Sequence, residues 1–159
     1  MALLQGRLQQ QGYRHRVTNA SIAGDTTSIG RLRLPTEIQR HNPSIVIIEL
    51  GGNDGLRGLA IPVIKGNLEA MIGTAKSQDI DVLLLGMRMP PNYGPAYVQA
   101  FAAMYADLAQ QFAVGYVPFL LAGVASEPGM MQADGIHPTA QAQAAILDNV
   151  WPEIAHLLP

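Results

Sequence analysis

The 159-residue chain contains no cysteine. That excludes a disulfide framework, a thiolate zinc site and a cysteine nucleophile. It leaves the compartment open, because cysteine-free proteins work on both sides of a membrane. Long apolar runs are also missing: no stretch approaches the roughly 20 residues a membrane helix needs, and stable membrane insertion is not expected. The opening MALLQGRLQQQGY is too briefly apolar for a signal peptide, has no basic region before the apolar stretch and continues into Gln-rich sequence. Charge is sparse, with 10 Lys plus Arg against 12 Asp plus Glu. No basic patch stands out, so nucleic acid is not an expected partner. The phosphate-binding patterns GxGxxG and GxxxxGK-S/T are absent, which weakens a nucleotide-binding reading.

What is present is ordinary globular material. Apolar residues make up 48% of the chain, enough for one good core, and the length suits a single domain over residues 1–159. Short apolar runs alternate with helix-period segments, a pattern of strands separated by helices. Residues 2–11 read as a helix with Leu3, Leu4 and Leu8 on one face and Gly12 as its stop. Residues 17–22 read as a strand, followed by a Gly-Asp-Thr-Thr turn at 24–27. Helical sequence then continues to about Arg40, with a break expected at Pro35. The run SIVIIEL at 44–50 suits a strand buried on both faces of a parallel sheet, ended by a turn at 51–55. A helix over 62–77, a strand over 81–87, a loop at 88–95 and a helix over 95–112 come next. A fourth strand at 114–117 follows, and a last helix from about Thr139 carries a kink at Pro152. Four strands with helical crossovers imply a parallel sheet, with sites at its carboxyl ends.

Three turns carry groups suited to acyl chemistry. Asp134 and His137 lie three apart in a Gly- and Pro-containing turn. An imidazole serves as a base near neutral pH, and a carboxylate can hold its tautomer. Taken alone, the pair reads more readily as a turn or cap Asp beside a surface His. In Gly51-Gly52-Asn53-Asp54-Gly55, glycine allows close backbone approach, and an Asn amide can donate to a developing oxyanion. A plain turn explains the same residues. Gly24-Asp25-Thr26-Thr27 offers backbone donors at a helix start, where simple capping is the alternative. Together, a base with its orienting acid, an amide donor and a backbone donor are a set that acyl transfer requires.

The segments NASIAGDTT (19–27), ELGGNDGLRG (49–58) and DGIHP (134–138) closely resemble three sequence blocks of the SGNH/GDSL hydrolases, in the right order over essentially the whole chain. Within that family the segments are similar to those of the bacterial multifunctional thioesterase I/lysophospholipase L1 and arylesterase group. The resemblance implies a three-layer α/β/α, flavodoxin-like fold with a parallel sheet. It implies an oxyanion N–H from Gly24, a side-chain oxyanion donor from Asn53, His137 as base and Asp134 as its partner. The loop of Met89, Pro90, Pro91, Asn92, Tyr93, Gly94 and Pro95 resembles the segment that closes over an acyl chain. Its neighbour Arg88 is expected to be a solvated loop residue. The implied substrate is a small acyl ester or thioester, and no metal or organic cofactor is implied.

The family's first block, Gly-Asp-Ser-Leu, supplies the nucleophile, and no such motif occurs here. The resemblance therefore implies that the first, central strand and the serine are missing, and that Met1 falls inside a family helix. Ser21, Ser28, Ser44, Ser77 and Ser126 do not read as strand-to-helix elbows beside a base. The expectation is a serine-type hydrolase without its nucleophile segment, with exposed strand edges prone to self-association. The alternatives are an acyl-binding module that retains the pocket without turnover and an unrelated α/β domain. Relatives of this group are often exported, which leaves the compartment undecided.

Overall fold

A computed structural model describes all residues 1–159. In chain order it contains α1 (Ala2–Gln10), α2 (Thr27–His41), β1 (Ile45–Ile48), α3 (Gly52–Leu56), α4 (Ile61–Lys76), β2 (Asp81–Leu85), α5 (Pro95–Phe112), β3 (Gly115–Val117) and α6 (Gln143–Leu157). The chain is thus mixed α/β, with six α-helices and one small parallel sheet. It divides into two compact units, Ala20–Phe119 and the combination of Met1–Asn19 with Leu120–Pro159.

The larger unit holds the sheet, in the order β1-β2-β3 with every pairing parallel. Ile45 to Ile48 stand opposite Asp81 to Leu84, and Leu83 to Leu85 opposite Gly115 to Val117. Central β2 buries Val82, Leu83, Leu84 and Leu85, as a strand flanked on both sides should. α4 lays Ile64, Leu68, Met71, Ile72 and Ala75 into this core, and α5 adds Phe101, Met104, Tyr105 and Leu108. These positions recur at three- and four-residue intervals, one apolar stripe per helix. Truncating a wholly buried member such as Leu68 to Ala would cost about 2–5 kcal/mol.

Several expectations need correcting. Residues 17–22 form no strand, because they pair with no other strand. From Tyr13 to Thr18 the side chains alternate between half-buried and exposed, and from Asn19 to Ile22 every residue is exposed. The sheet therefore has three strands. β1 spans four residues rather than seven, and Ile47 is exposed rather than buried, since β1 is an edge strand that pairs only with β2. Pro35 does not break α2, which runs from Thr27 to His41. A proline costs a helix one N–H bond and some crowding, about 3 kcal/mol. Burial of Thr27, Gly30 and Ile38 along one side of α2 opposes that cost. The helix ends instead at Asn42, a left-handed cap whose N–H donates to the Ile38 carbonyl at 2.8 Å.

The smaller unit pairs α1 with α6, which buries Val150 and Ile154 and runs through Pro152 as one helix. Leu8 is buried, but Leu3, expected on the same face, is half exposed. Arg7 bonds Asp148 and lies over the Trp151 ring. No helix is long and apolar enough to cross a membrane.

Candidate functional site

In the larger unit, the segment at 51–55 is the cap and most of the five-residue helix α3 rather than a plain turn. Gly51 caps it at φ +112°, and a Cβ there would fall on the Tyr105 hydroxyl. Conformation and close approach both demand glycine at this position. The Tyr105 hydroxyl donates to the Leu50 carbonyl at 2.9 Å, fixing the exit of β1. Burial drives its phenol pKa far above the ordinary range, so it stays a donor.

Asn53 is half-buried on this helix start. Its side-chain amide donates to the Asp25 carbonyl at 2.9 Å, which ties the 51–55 segment to the Gly-Asp-Thr-Thr turn. An amide carries two N–H groups, so one remains for a ligand. Gly24 precedes Asp25 in an exposed turn at φ +84°, and its N–H donates to no backbone acceptor. The structure thus brings these two segments, 28 residues apart, into direct contact. The Asp25 carboxylate is gripped by Arg33 through Nε at 3.0 Å and Nη2 at 2.7 Å, and Nη2 also donates to the Ala20 carbonyl.

Beneath this surface runs a buried polar chain that sequence reasoning did not single out. Asp54 has no exposed surface, and neither has Thr27. Asp54 Oδ2 accepts the Thr27 N–H at 2.9 Å, and Oδ1 accepts the Thr27 hydroxyl at 2.6 Å. That hydroxyl accepts from Asn67 Nδ2 at 3.1 Å. Thr27 is the first residue of α2, so the carboxylate also sits at the positive end of that helix. Asp54 follows Asn53 directly, yet in a Gly-Asn-Asp-Gly string it reads as a turn former. Nothing local announces that Asp54 meets Thr27, 27 residues away, or that Thr27 in turn meets Asn67, 40 residues from it.

The loop 89–95 is docked rather than free. Met89 is buried, Pro91 to Tyr93 form a 3₁₀ turn, and the Tyr93 hydroxyl donates to the Leu56 carbonyl at 2.8 Å. Tyr97 does the same to Leu59 at 2.7 Å. Rings 93, 97, 101 and 105 follow one another at centroid spacings of 5.5 to 6.2 Å. Arg88 is exposed as expected, and its guanidinium lies 4.9 Å from the Phe119 ring centroid, a stacking the sequence did not suggest.

In the smaller unit, Asp134 and His137 face each other. His137 Nδ1 lies 2.7 Å from Asp134 Oδ2, and Oδ1 accepts the backbone N–H of Ile136 at 2.9 Å and of His137 at 3.0 Å. The side-chain bond from His137, reinforced by those two amides, lowers the Asp134 carboxyl to about 2. The turn is pinned across its base. Gln132 N–H donates to the His137 carbonyl, Thr139 N–H to Met130, and Met131 and Pro138 form an antiparallel bridge. With Nδ1 held by a carboxylate, the neutral imidazole carries its proton there and leaves Nε2 as a base. The imidazole side chain is 69% exposed and open to a reactant.

The GDSL-like lipase/acylhydrolase family model matches residues 1–145. The chain is 51% identical over 158 residues to an esterase, TesA, of Pseudomonas aeruginosa, covering 99% of this chain and 79% of that protein. It is 42% identical over 142 residues to thioesterase 1/protease 1/lysophospholipase L1 of Escherichia coli K12, covering 89% of this chain and 68% of the relative. A crystal structure of TesA superposes with a TM-score of 0.96 at 52% identity, covering 99% of this chain and 87% of that one.

Proposed function

This chain belongs to the GDSL-like lipase/acylhydrolase family, and from that premise we propose that it carries the base and the oxyanion donors of a serine-type hydrolase of carboxylic esters and thioesters. The observation that carries the reading is the 2.7 Å Asp134–His137 contact in a pinned turn. His137 Nε2 takes the proton of a serine hydroxyl as its oxygen bonds to the acyl carbon. The tetrahedral oxyanion is met by the Gly24 N–H and by the Asn53 amide. Collapse expels the alcohol or thiol, which takes the proton from His137, and leaves an acyl-enzyme. Water, deprotonated by His137, then releases the acid and regenerates the serine. Asp134 holds the ring and stabilises the transient imidazolium.

The nucleophile in this reading is a serine supplied from outside these 159 residues. Ser28 lies within α2, and Ser44 immediately precedes β1. Ser77 caps α4 with its hydroxyl on Thr74, and Ser126 lies among the turns after Leu120. None of these is a turn that delivers a strand into a helix. Substrates in this reading are the small acyl esters, thioesters and lysophospholipids that the relatives' names span, with loop 89–95 against the acyl chain. The unpaired outer edge of β1 makes self-association through that edge part of the same proposal. Fused in frame to a segment bearing Gly-Asp-Ser-Leu, the chain is expected to hydrolyse p-nitrophenyl acetate and butyrate. His137→Ala should then lower kcat by about 10³–10⁴-fold or more. A folded, serine-bearing chain with no hydrolysis would end the reading, and acyl binding without turnover would make the chain a binding module.

A further inference from the structure

Asp54 is wholly buried, and the mechanism gives it no step. A carboxylate without solvent needs its lone pairs met by donors. Here both oxygens turn onto one residue, Thr27, and through the Thr27 hydroxyl onto Asn67 of α4. The two anchored segments also carry the donors assigned to the oxyanion. Asn53 is the residue before Asp54, and Gly24 lies three before Thr27. Asn53 crosses the same junction with its own amide, to the Asp25 carbonyl at 2.9 Å. One buried link and one half-buried link therefore join the α3 start to the α2 start side by side. Such a pair resists both sliding and rotation between the segments.

We propose that Asp54 is a positioning residue: its bidentate hold on Thr27 fixes the spacing between the Gly24 N–H and the Asn53 amide, and so governs turnover without touching substrate. The proposal rests on the assignment of Gly24 and Asn53 as oxyanion donors. A carboxylate is required because Asn would place an NH2 against either the Thr27 N–H or the Thr27 hydroxyl. The hydroxyl can accept from that NH2 as well as from Asn67, but its own proton then loses the acceptor that Asp54 Oδ1 supplies. Arg31, whose Nη1 lies 3.3 Å from Asn67 Oδ1, extends the chain toward the surface and orients the Asn67 amide.

The test compares Asp54→Asn, Thr27→Val and Thr27→Ser in the serine-bearing chain with p-nitrophenyl butyrate. Removing one oxyanion donor outright costs about 10²–10³-fold in kcat, so displacement of the pair should cost about 10–100-fold. KM should stay within about threefold, and the acid limb of the pH profile should not move. Thr27→Ser, which keeps the hydroxyl, should recover most of the kcat lost in Thr27→Val. Folded Asp54→Asn and Thr27→Val proteins with unchanged kcat would overturn the proposal, whereas an inactive parent protein would overturn the hydrolase reading instead. A second readout needs no turnover. The Asn53 side-chain amide and Gly24 N–H signals should shift in Thr27→Val, and unmoved signals would equally defeat the clamp.

Discussion

At the residue scale, the Asp134–His137 contact was legible because it is local. Two residues three apart in a turn need only the right backbone, and the glycine between them and the proline after them signalled a turn. The Asp54–Thr27–Asn67 chain was not legible, because its members are separated by 27 and 40 residues and each has an innocent local explanation. The acid side also yields a pH prediction. Asp134 is lowered from its ordinary 3.8 to about 2, first by the His137 side chain and then by two amides. A depressed carboxyl contributes stability that is fully present above its unfolded value and is lost as pH falls through its folded value. The window for Asp134 therefore runs from about 3.8 down to about 2, below any esterase assay. Carbon-13 titration of the Asp134 carboxyl should give a midpoint near 2 in the wild type. In His137→Ala the midpoint should rise part of the way toward 3.8, since the two amide donors remain. A wild-type midpoint at the ordinary value would mean the contact does not persist in solution.

At the scale of elements, periodicity located α1, α4, α5, β2 and β3 within a few residues, most securely α4 and α5, whose apolar stripes pack into the core of the larger unit. It failed where a strand depends on a partner. Residues 17–22, read as a strand, join no ladder, and β1 is shorter and more exposed than SIVIIEL suggested. An apolar run reports a preference for burial, while pairing is decided by what lies alongside. Pro35 is the converse case, a local breaker overruled by the burial of the α2 face. The open side of β1, with Ile47 exposed, leads to the prediction that this chain alone associates as its concentration rises. Sedimentation velocity should show dimers or larger species that Ile47→Lys shifts toward monomer. A monomer at every concentration, with or without the lysine, would remove edge pairing from the account.

For the whole molecule, composition and element order pointed to one α/β chain, and the family it joins is an acylhydrolase family. The division into two compact units was invisible in the sequence, because the smaller one is assembled from both ends of the chain. The 20–119 stretch carries the proposed oxyanion donors and the remainder carries the proposed base. The central claim is that these residues serve an attacking serine that is not among the five in the chain. Labelling with an alkyl fluorophosphonate followed by peptide mass mapping tests this directly. In the serine-bearing protein the account predicts one adduct, on the serine outside residues 1–159, with labelling slowed at least 100-fold by His137→Ala. A stoichiometric adduct on Ser21, Ser28, Ser44, Ser77 or Ser126 would contradict it.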